Sequence, residues 1–539
     1  VTLASGKQIE FQAPTVDGEY RFTLHVTDAL GRSDESTTAF RVSHSIASEV
    51  DPQSTPADWI DNAVVYGAAP TLVTPVGFSG VTQRLDAIAA LGASVLWLTP
   101  VTSAPPGDFG YAVTNHFQVR DAFGSEAQLR SLIESAHAHG LRVLLDFVTN
   151  HLSALHPYYQ DAVRRGVASP YYTWFERDAD GRVVHYFDWT NLENLNYDDP
   201  DVRAYMIAAC SYWVRKYHID GFRMDAAWTV RERAPEMWPL LRRELKRIDP
   251  DVALLAEASA LDPYYRAHGF DAAYDWTAKL GQWAWQSAYP DGTSPPDLRA
   301  LRTALERSSQ AAPADTGFVI LHFLDNNDTG ERFITRHGLE QTRTAAALLF
   351  TLPGLPLIFA GEEVGAAFNP YRGGPPIVWR DAHGLEPFYA RLVKLRRDLP
   401  VLRSGSIRLL STDHDDTVLA YDRENPDRSA AAGPSQNAVV VINFGNEPVE
   451  LRLGPTGPSD GTAAATAASE RPTEATVSVT AAPDEALGTT LAGRDWITED
   501  LLTYVRSEIA PTAPTLPLAA HDALLLLPSP PARDPTSAP

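Results

Sequence analysis

The chain has 539 residues, with 45 basic and 68 acidic side chains and a formal net charge of −23. That length gives room for about three domains and a large core. Its acidity argues against nucleic acid and against an anionic membrane surface as partners, since both select a basic face. The single cysteine, Cys210, excludes an intrachain disulfide and a thiolate metal cluster; in the apolar run AACSYWV it reads as a buried core thiol.

Residues 1–45 read as all-β. Tyr20, Phe22, Leu24 and Val26 alternate with polar residues, the pattern of a half-buried strand. Ala29-Leu30-Gly31-Arg32 then turns the chain into a second run, Thr37 to Val42. The stretch resembles the closing strands of an immunoglobulin-like or PKD-type module. It is shorter than the roughly 100 residues of a complete sandwich, so the chain is expected to begin inside a larger domain. Residues 46–58, with Pro52 and Pro56, read as linker.

From 59 to 402 short apolar runs alternate with helical patterns. AVVYG, SVLWLTPV, LRVLLDFV, IDGFRMD, VALLAEA, DAAYDW, GFVILHFL and PLIFAG predict eight strands. Strands covered on both faces carry continuous apolar runs, as parallel strands do, and with helices between them they predict an α/β fold, a (β/α)8 TIM barrel. An open doubly wound sheet would carry a Gly-rich phosphate loop after its first strand, and this chain has none there. The aromatic, non-periodic stretch 152–199 reads as an insertion after the third strand. The apolar run Ala345 to Gly361 is broken by Pro353, Gly354 and Pro356, so it predicts no membrane span. TVLAYDR, NAVVVINFG, VELRLG and DALLLLP predict a C-terminal β-sandwich over 403–530. A surface loop is expected at 454–493 and a disordered tail at 531–539.

Catalytic groups of such a barrel sit at the C-terminal ends of its strands. Those ends carry Asp146 and His151 after the third strand, Arg223 and Asp225 after the fourth, Glu257 after the fifth and Asp328 after the seventh. Retaining glycoside hydrolysis needs one carboxylate to attack the anomeric carbon and one carboxylic acid to protonate the leaving oxygen. Glu257 closes an apolar run, where desolvation disfavours its charged form. Arg223 precedes Asp225 by two residues on one strand face, so its guanidinium is expected to keep Asp225 ionised and aimed. Taken singly, each carboxylate reads equally well as a helix cap, a structural ion pair or an Asx turn. Three in one mouth with Arg and His do not. A metal-dependent hydrolase would need His ligands at metal spacing on these ends, a pattern the sequence lacks.

The segments DFVTNH (146–151), GFRMDAAW (221–228), LLAEAS (254–259) and FLDNND (323–328) resemble, in order and spacing, the four signature regions of the α-amylase superfamily, glycoside hydrolase family 13. NLENLNY (191–197) resembles its fifth region, and the resemblance covers about residues 59–530. It implies Asp225 as nucleophile, Glu257 as acid/base and Asp328 as the third carboxylate. It further implies that Arg223 orients Asp225, that His151 hydrogen-bonds the sugar and that Tyr111 stacks on it, with Asp146 and Asn327 completing the binding set. Asn327 stands where the family carries His, so an amide replaces an imidazole. Trp228 and Thr229 stand where many α-amylases carry Lys-His, a departure that points toward the neopullulanase and cyclomaltodextrinase branch, although the Asn-Glu of that branch is missing too.

The implied activity is retaining hydrolysis of mainly α-1,4 bonds in starch, glycogen or maltooligosaccharides. The alternatives are an α-glucan transglycosylase, a debranching or cyclodextrin-cleaving relative, and a non-catalytic amylase-like binding module, against which the intact carboxylate trio speaks. The resemblance implies no cofactor for the chemistry and a structural calcium, for which Asn150 is the one oxygen ligand named by the sequence. An α-glucan is the expected partner, with neither nucleic acid nor membrane. The protein is expected to be bacterial and secreted, its signal peptide not visible at Val1. The sequence sets no oligomeric state.

Overall fold

The structure, a computed structural model, describes residues 16, 18–27, 33–43, 46–49, 57, 59–276, 285–290, 292–312, 316–367, 377–403, 405–424, 437–453, 485–491, 495–510 and 513–529. The eight expected strands close into one parallel barrel. They are β1 (Val65–Ala68), β2 (Val95–Leu98), β3 (Arg142–Val148), β4 (Gly221–Asp225), β5 (Ala253–Ser259), β6 (Ala272–Tyr274), β7 (Val319–Phe323) and β8 (Leu355–Phe359), with β8 paired back onto β1.

Two-residue periodicity divides each strand between two cores. Val65, Val95, Trp97, Leu144, Leu255, Tyr274, Leu321 and Leu357 fill the barrel interior. Their neighbours Tyr66, Leu96, Val143, Leu145, Phe222, Met224 and Leu254 face outward into the layer shared with the helices. The same parity carries the inward face on to Asp146, Arg223, Asp225 and Glu257 at the strand ends. Gly221 opens β4 because a Cβ there would lie 2.2 Å from the Ala253 carbonyl oxygen of β5. Local chemistry starts the helices. Ser125 and Gln128 form a capping box for Glu126–Ala138, which buries Leu129, Leu132, Ile133 and Ala136 on one face. Cys210 is fully buried, and burial pushes its thiol up, as a core residue requires.

The insertion is ordered. His151–Ser153, His185–Tyr186 and Trp189–Asn194 make a three-stranded antiparallel sheet. Beside it the helix Pro157–Arg165 presents Tyr158, which stacks on Tyr171 at 4.0 Å between ring centroids. These aromatic contacts replace the periodic pattern that the sequence lacks.

Beyond the barrel, Ser406–Ser411, Val418–Glu424, Asn437–Asn443, Ala523–Pro528, Trp496–Asp500 and Arg506–Ile509 form an antiparallel sheet, with Glu485–Ala486 added in parallel at its edge. Leu419, Tyr421, Val440, Ile442 and Leu525 pack on the barrel's helices. Val418, Ala420, Val439, Val441 and Leu526 face Leu451, Leu516 and Leu518 of a two-stranded ribbon, Val449–Arg452 with Thr515–Leu518. One sheet thus serves two cores, again through the two-residue period.

Two expectations change. Ile46–Glu49, inside the stretch read as linker, is a strand paired with Ser33–Ser43, which itself pairs with Gly18–Thr27. The pairing satisfies an edge that would otherwise present open backbone groups. Within the expected loop at 454–493, Glu485–Leu491 form a strand and a short helix whose Leu487 and Leu491 are buried in the sandwich core. The 29–32 turn, the rest of that loop and the 531–539 tail lie outside the described residues. Among the described residues no helix is long and apolar enough to cross a membrane.

Candidate active site

Arg223 is the hub of the barrel mouth. It projects inward from β4 beside its register partner Asp146 on β3 and is 1% exposed. Nη1 lies 2.7 Å from Asp146 Oδ1 and 2.9 Å from Asp225 Oδ1. Nη2 lies 3.0 Å from Glu257 Oε2 and 3.6 Å from Asp328 Oδ2. Nε donates to the Tyr274 hydroxyl at 3.1 Å, and the guanidinium sits 5.6 Å from the ring centroids of both Tyr274 and Trp97 on the barrel floor. Four carboxyl groups therefore meet one cation.

The chain turns sharply where β4 ends. Ala226 takes a left-handed conformation, φ 46°, which costs a non-glycine residue about 1 kcal/mol or more. This turn aims the Ala226 N–H at Glu257 Oε2, 2.6 Å away, and leaves Asp225 at the strand tip. Asp328 is positioned differently. The Asn326 side chain accepts from the backbone N–H groups of Asp328 and Thr329 at 2.8 and 2.9 Å, an Asx turn that presents Asp328, whose side chain is 31% exposed.

Burial dominates the electrostatics of this cluster. It raises Glu257 well above the ordinary carboxyl range against the opposing pull of Arg223, with Asp225 and Asp328 adding to the rise. Burial likewise raises Asp225 and Asp146, each to about 7, with Arg223 pulling down. Contrary to the expectation that Arg223 keeps Asp225 ionised, burial, with the charges of Asp146 and Asp328, outweighs the pull of the guanidinium. The order nevertheless fits a division of labour: Glu257 is the group that keeps its proton.

The remaining predicted residues are brought to this mouth, several behind the carboxylates. Asp146 is fully buried and accepts from the Tyr111 hydroxyl at 3.0 Å, so it holds Arg223 and Tyr111 from below, away from substrate space. Asn327 donates from Nδ2 to that same hydroxyl at 2.7 Å. His151 is buried and neutral, pulled down to about 3 by burial. Its Nε2 is 3.0 Å from the Tyr111 carbonyl oxygen, and its ring stacks on Tyr186 at 5.2 Å. Sequence reasoning missed Tyr274, Tyr186 and the Ala226 turn. Tyr186 stacks on His151, and burial, with the charges of Glu257, Asp225 and Asp328, pushes its hydroxyl up. Its one signal in the sequence was membership of an aromatic-rich stretch. Phe187 and Trp189, 54% and 55% exposed, and Trp228, its ring 6.0 Å from that of Phe187, continue an aromatic rim outward.

Asn150 does not stand free as a calcium ligand. Its Oδ1 accepts from the Arg233 guanidinium, which also takes the Leu195 carbonyl oxygen at 2.6 Å and Glu176 Oε2 at 3.0 Å. A cation is already among these oxygens, and among the described residues Glu176 is the one carboxylate paired with Arg233, so the donor set does not fit a divalent ion that favours several carboxylates. Among the described residues no group of three or more His, Cys, Asp or Glu side chains has metal-site geometry.

Comparison with known proteins agrees with this geometry. The family model described as the α-amylase catalytic domain matches residues 74–399. An α-amylase, MalA, of Haloarcula japonica is 33% identical over 425 residues, 76% of this chain and 59% of that protein. A cyclomaltodextrinase of a Bacillus species is 29% identical over 364 residues, 64% of this chain and 63% of that one. The chain thus spans about three fifths of the length of these curated relatives. The solved α-amylase of Geobacillus thermoleovorans, complexed with acarbose, superposes with a TM-score of 0.65 at 23% identity, covering 87% of this chain and 98% of that one, a likeness of fold. A catalytic-domain match of that extent, laid over nearly the whole barrel, establishes the kinship: this chain belongs to the α-amylase family.

Proposed function

We propose that the protein is a retaining α-glycoside hydrolase acting on α-1,4-linked glucose oligomers. The observation that carries this reading is the pairing of Asp225 and Glu257 on one buried guanidinium, with Glu257 holding its proton the more tightly. In the first step Glu257 passes its proton to the glycosidic oxygen while an Asp225 oxygen bonds to the anomeric carbon, breaking the C–O bond and releasing the shortened glucan. In the second, Glu257, now ionised, takes a proton from water. The water oxygen displaces Asp225, so two inversions return the α-anomer. Asp328, the most open of the carboxyls, reaches sugar hydroxyls, and Arg223 keeps the carboxylates in register.

A second reading, action on cyclic or short maltooligosaccharides with transfer to an acceptor sugar, is favoured by the rim of Phe187, Trp189 and Trp228. Exposed rings there offer apolar faces on which a leaving-side sugar can stack. Relatives named cyclomaltodextrinase and maltogenic amylase support the same reading.

Chromatography of products from starch, pullulan, cyclodextrin and maltotriose decides between the two readings, and early-time NMR decides the stereochemistry. An α-anomer is expected as first product; a β-anomer sinks the covalent mechanism. Secretion, expected from the sequence, draws no support from a relative named intracellular maltogenic amylase, 27% identical over 358 residues. Immunodetection in fractionated host cells tests it.

A further inference from the structure

The fold gives this chain a clamp that the reaction itself does not call for. Arg233 ends the helix Ala227–Arg233 that follows β4. Its Nε donates to the Thr229 carbonyl at 3.2 Å, Nη1 to the Leu195 carbonyl at 2.6 Å and to Glu176 at 3.0 Å, and Nη2 to Asn150 Oδ1. The oxygens come from three separate pieces of chain: the loop after β3, the helix after β4 and the insertion. A calcium ion collects six to eight oxygens without regard to direction, usually with several carboxylates. Here one carboxylate balances one guanidinium, and each oxygen is met by a directed N–H donor.

The clamp reaches the catalytic mouth through Asn150. Because Oδ1 faces Arg233, Nδ2 faces the other way, 3.2 Å from Asn194 Oδ1 and 3.1 Å from His151 Nδ1. Asn194 in turn donates to Glu176 at 3.2 Å, which closes the ring. A donor on Nδ1 leaves the imidazole proton on Nε2, where it is given to the Tyr111 carbonyl at 3.0 Å. The Tyr111 carbonyl, which only accepts, fixes that tautomer; what Arg233 sets, together with Thr229 Oγ1 at 2.8 Å from Asn150 Oδ1, is the placement of the Asn150 donor against the ring.

We propose that Arg233 is a built-in cation that fastens the insertion to the barrel in the place of a bound calcium, and that through Asn150 it is a positioning residue for His151. Three measurements on the full chain test this. First, melting followed in EDTA and in millimolar calcium is expected to give one Tm for the wild type. A Tm that falls in EDTA and returns with calcium overturns the proposal. Second, Arg233→Met, which keeps the apolar stem and removes the fork, is expected to lower Tm by about 5 °C. Arg233→Lys, which restores charge without bidentate geometry, is expected to recover part of that loss. Third, imidazole nitrogen NMR is expected to show His151 as the Nε2–H tautomer in both proteins, with the Nδ1 resonance shifted in Arg233→Met as the Asn150 donor loosens. An unshifted Nδ1 resonance in folded Arg233→Met overturns the positioning role, and an unchanged Tm overturns the fastening role. If Arg233→Met does not fold, the Lys variant and the wild-type chelation series carry the test. On maltotriose the Met variant is expected to lose about tenfold in kcat/KM. That readout alone rests on the hydrolytic reading, so a different substrate would silence it and leave the melting and NMR results decisive.

Discussion

Two buried arginine sites in this molecule make opposite use of the same side chain. At the barrel mouth Arg223 faces Asp146, Asp225, Glu257 and Asp328, an excess of negative charge that leaves Asp225 and Asp146 raised to about 7 and Glu257 higher still. At the seam between the barrel and the C-terminal sheet, Arg396 instead meets backbone carbonyls. It donates to those of Phe350, Leu352 and Leu402 at 3.1, 2.6 and 2.7 Å, and to that of Gly354. Nearby Arg423, on the strand Val418–Glu424, donates to the Thr351 and Leu402 carbonyls. Burial, with the neighbouring arginines, pulls Arg396 downward, but a guanidinium stays charged under ordinary conditions. There the cation satisfies carbonyls at the C-terminal end of the helix Phe333–Thr351, which have no partner within the helix and sit at its negative pole. One site stores electrostatic tension for chemistry; the other uses charge to join two pieces of the fold.

The sharpest way to break the contrast is to remove a carboxyl from the mouth. Glu257→Gln is expected to lower kcat by roughly 10²–10⁴-fold, the usual weight of a general acid, and Asp225→Asn to abolish turnover. Neither should lower Tm, and Asp225→Asn should raise it slightly, because it removes a charge from an over-acidic cluster. A clear drop in Tm would show the carboxyls to be structural ion pairs. At the seam the expectation reverses. Arg396→Met should cost about 3 kcal/mol or more by leaving several buried carbonyls unmet, while kcat per folded molecule stays within about twofold. Denaturant melts and active-site-normalised rates check both halves.

Dependence on pH sharpens the comparison at the mouth. The proposed mechanism needs Asp225 ionised and Glu257 protonated, so kcat/KM should fall on the acid side near 7 and on the alkaline side at higher pH. Stability runs with the sign of a raised carboxyl pKa. Between about 4 and 7 the native state holds protons that the unfolded chain has released, so the contribution present at low pH is lost as pH rises through about 7. Unfolding free energy should decline over that range by up to about 1.4 kcal/mol per pH unit for each such group, and Asp225→Asn should flatten the slope. The smallest effect concerns Asn327. Asn327→Ala removes the donor that holds the Tyr111 hydroxyl and should raise KM severalfold, about 1 kcal/mol. Asn327→His, which restores a ring donor, should recover most of it; no recovery would show a pocket built around the amide.

Much of this site was legible because it rests on short-range rules. The eight apolar runs located the strands, and the two-residue period placed Arg223 and Asp225 on one inward face, as their 2.9 Å contact bears out. Other features left no local trace. Arg233 reads as an ordinary last-turn arginine, yet it joins residues 38 and 83 positions away. The insertion shows no period because aromatic packing holds it, and Ile46–Glu49 reads as linker until a neighbouring strand is there to receive it.

By itself the sequence determined the barrel, the inward parity of its strands and the carboxyl groups at their ends, since periodicity and turn chemistry act between neighbours along the chain. Only the tertiary structure decided how those groups share charge and protons. The link from Asn327 to Tyr111 spans 216 residues, and the bond from Arg223 to Asp146 spans 77. Burial and Coulomb energy are sums over whatever the fold brings close, so one arginine can be divided among four carboxyl groups that no stretch of sequence holds together.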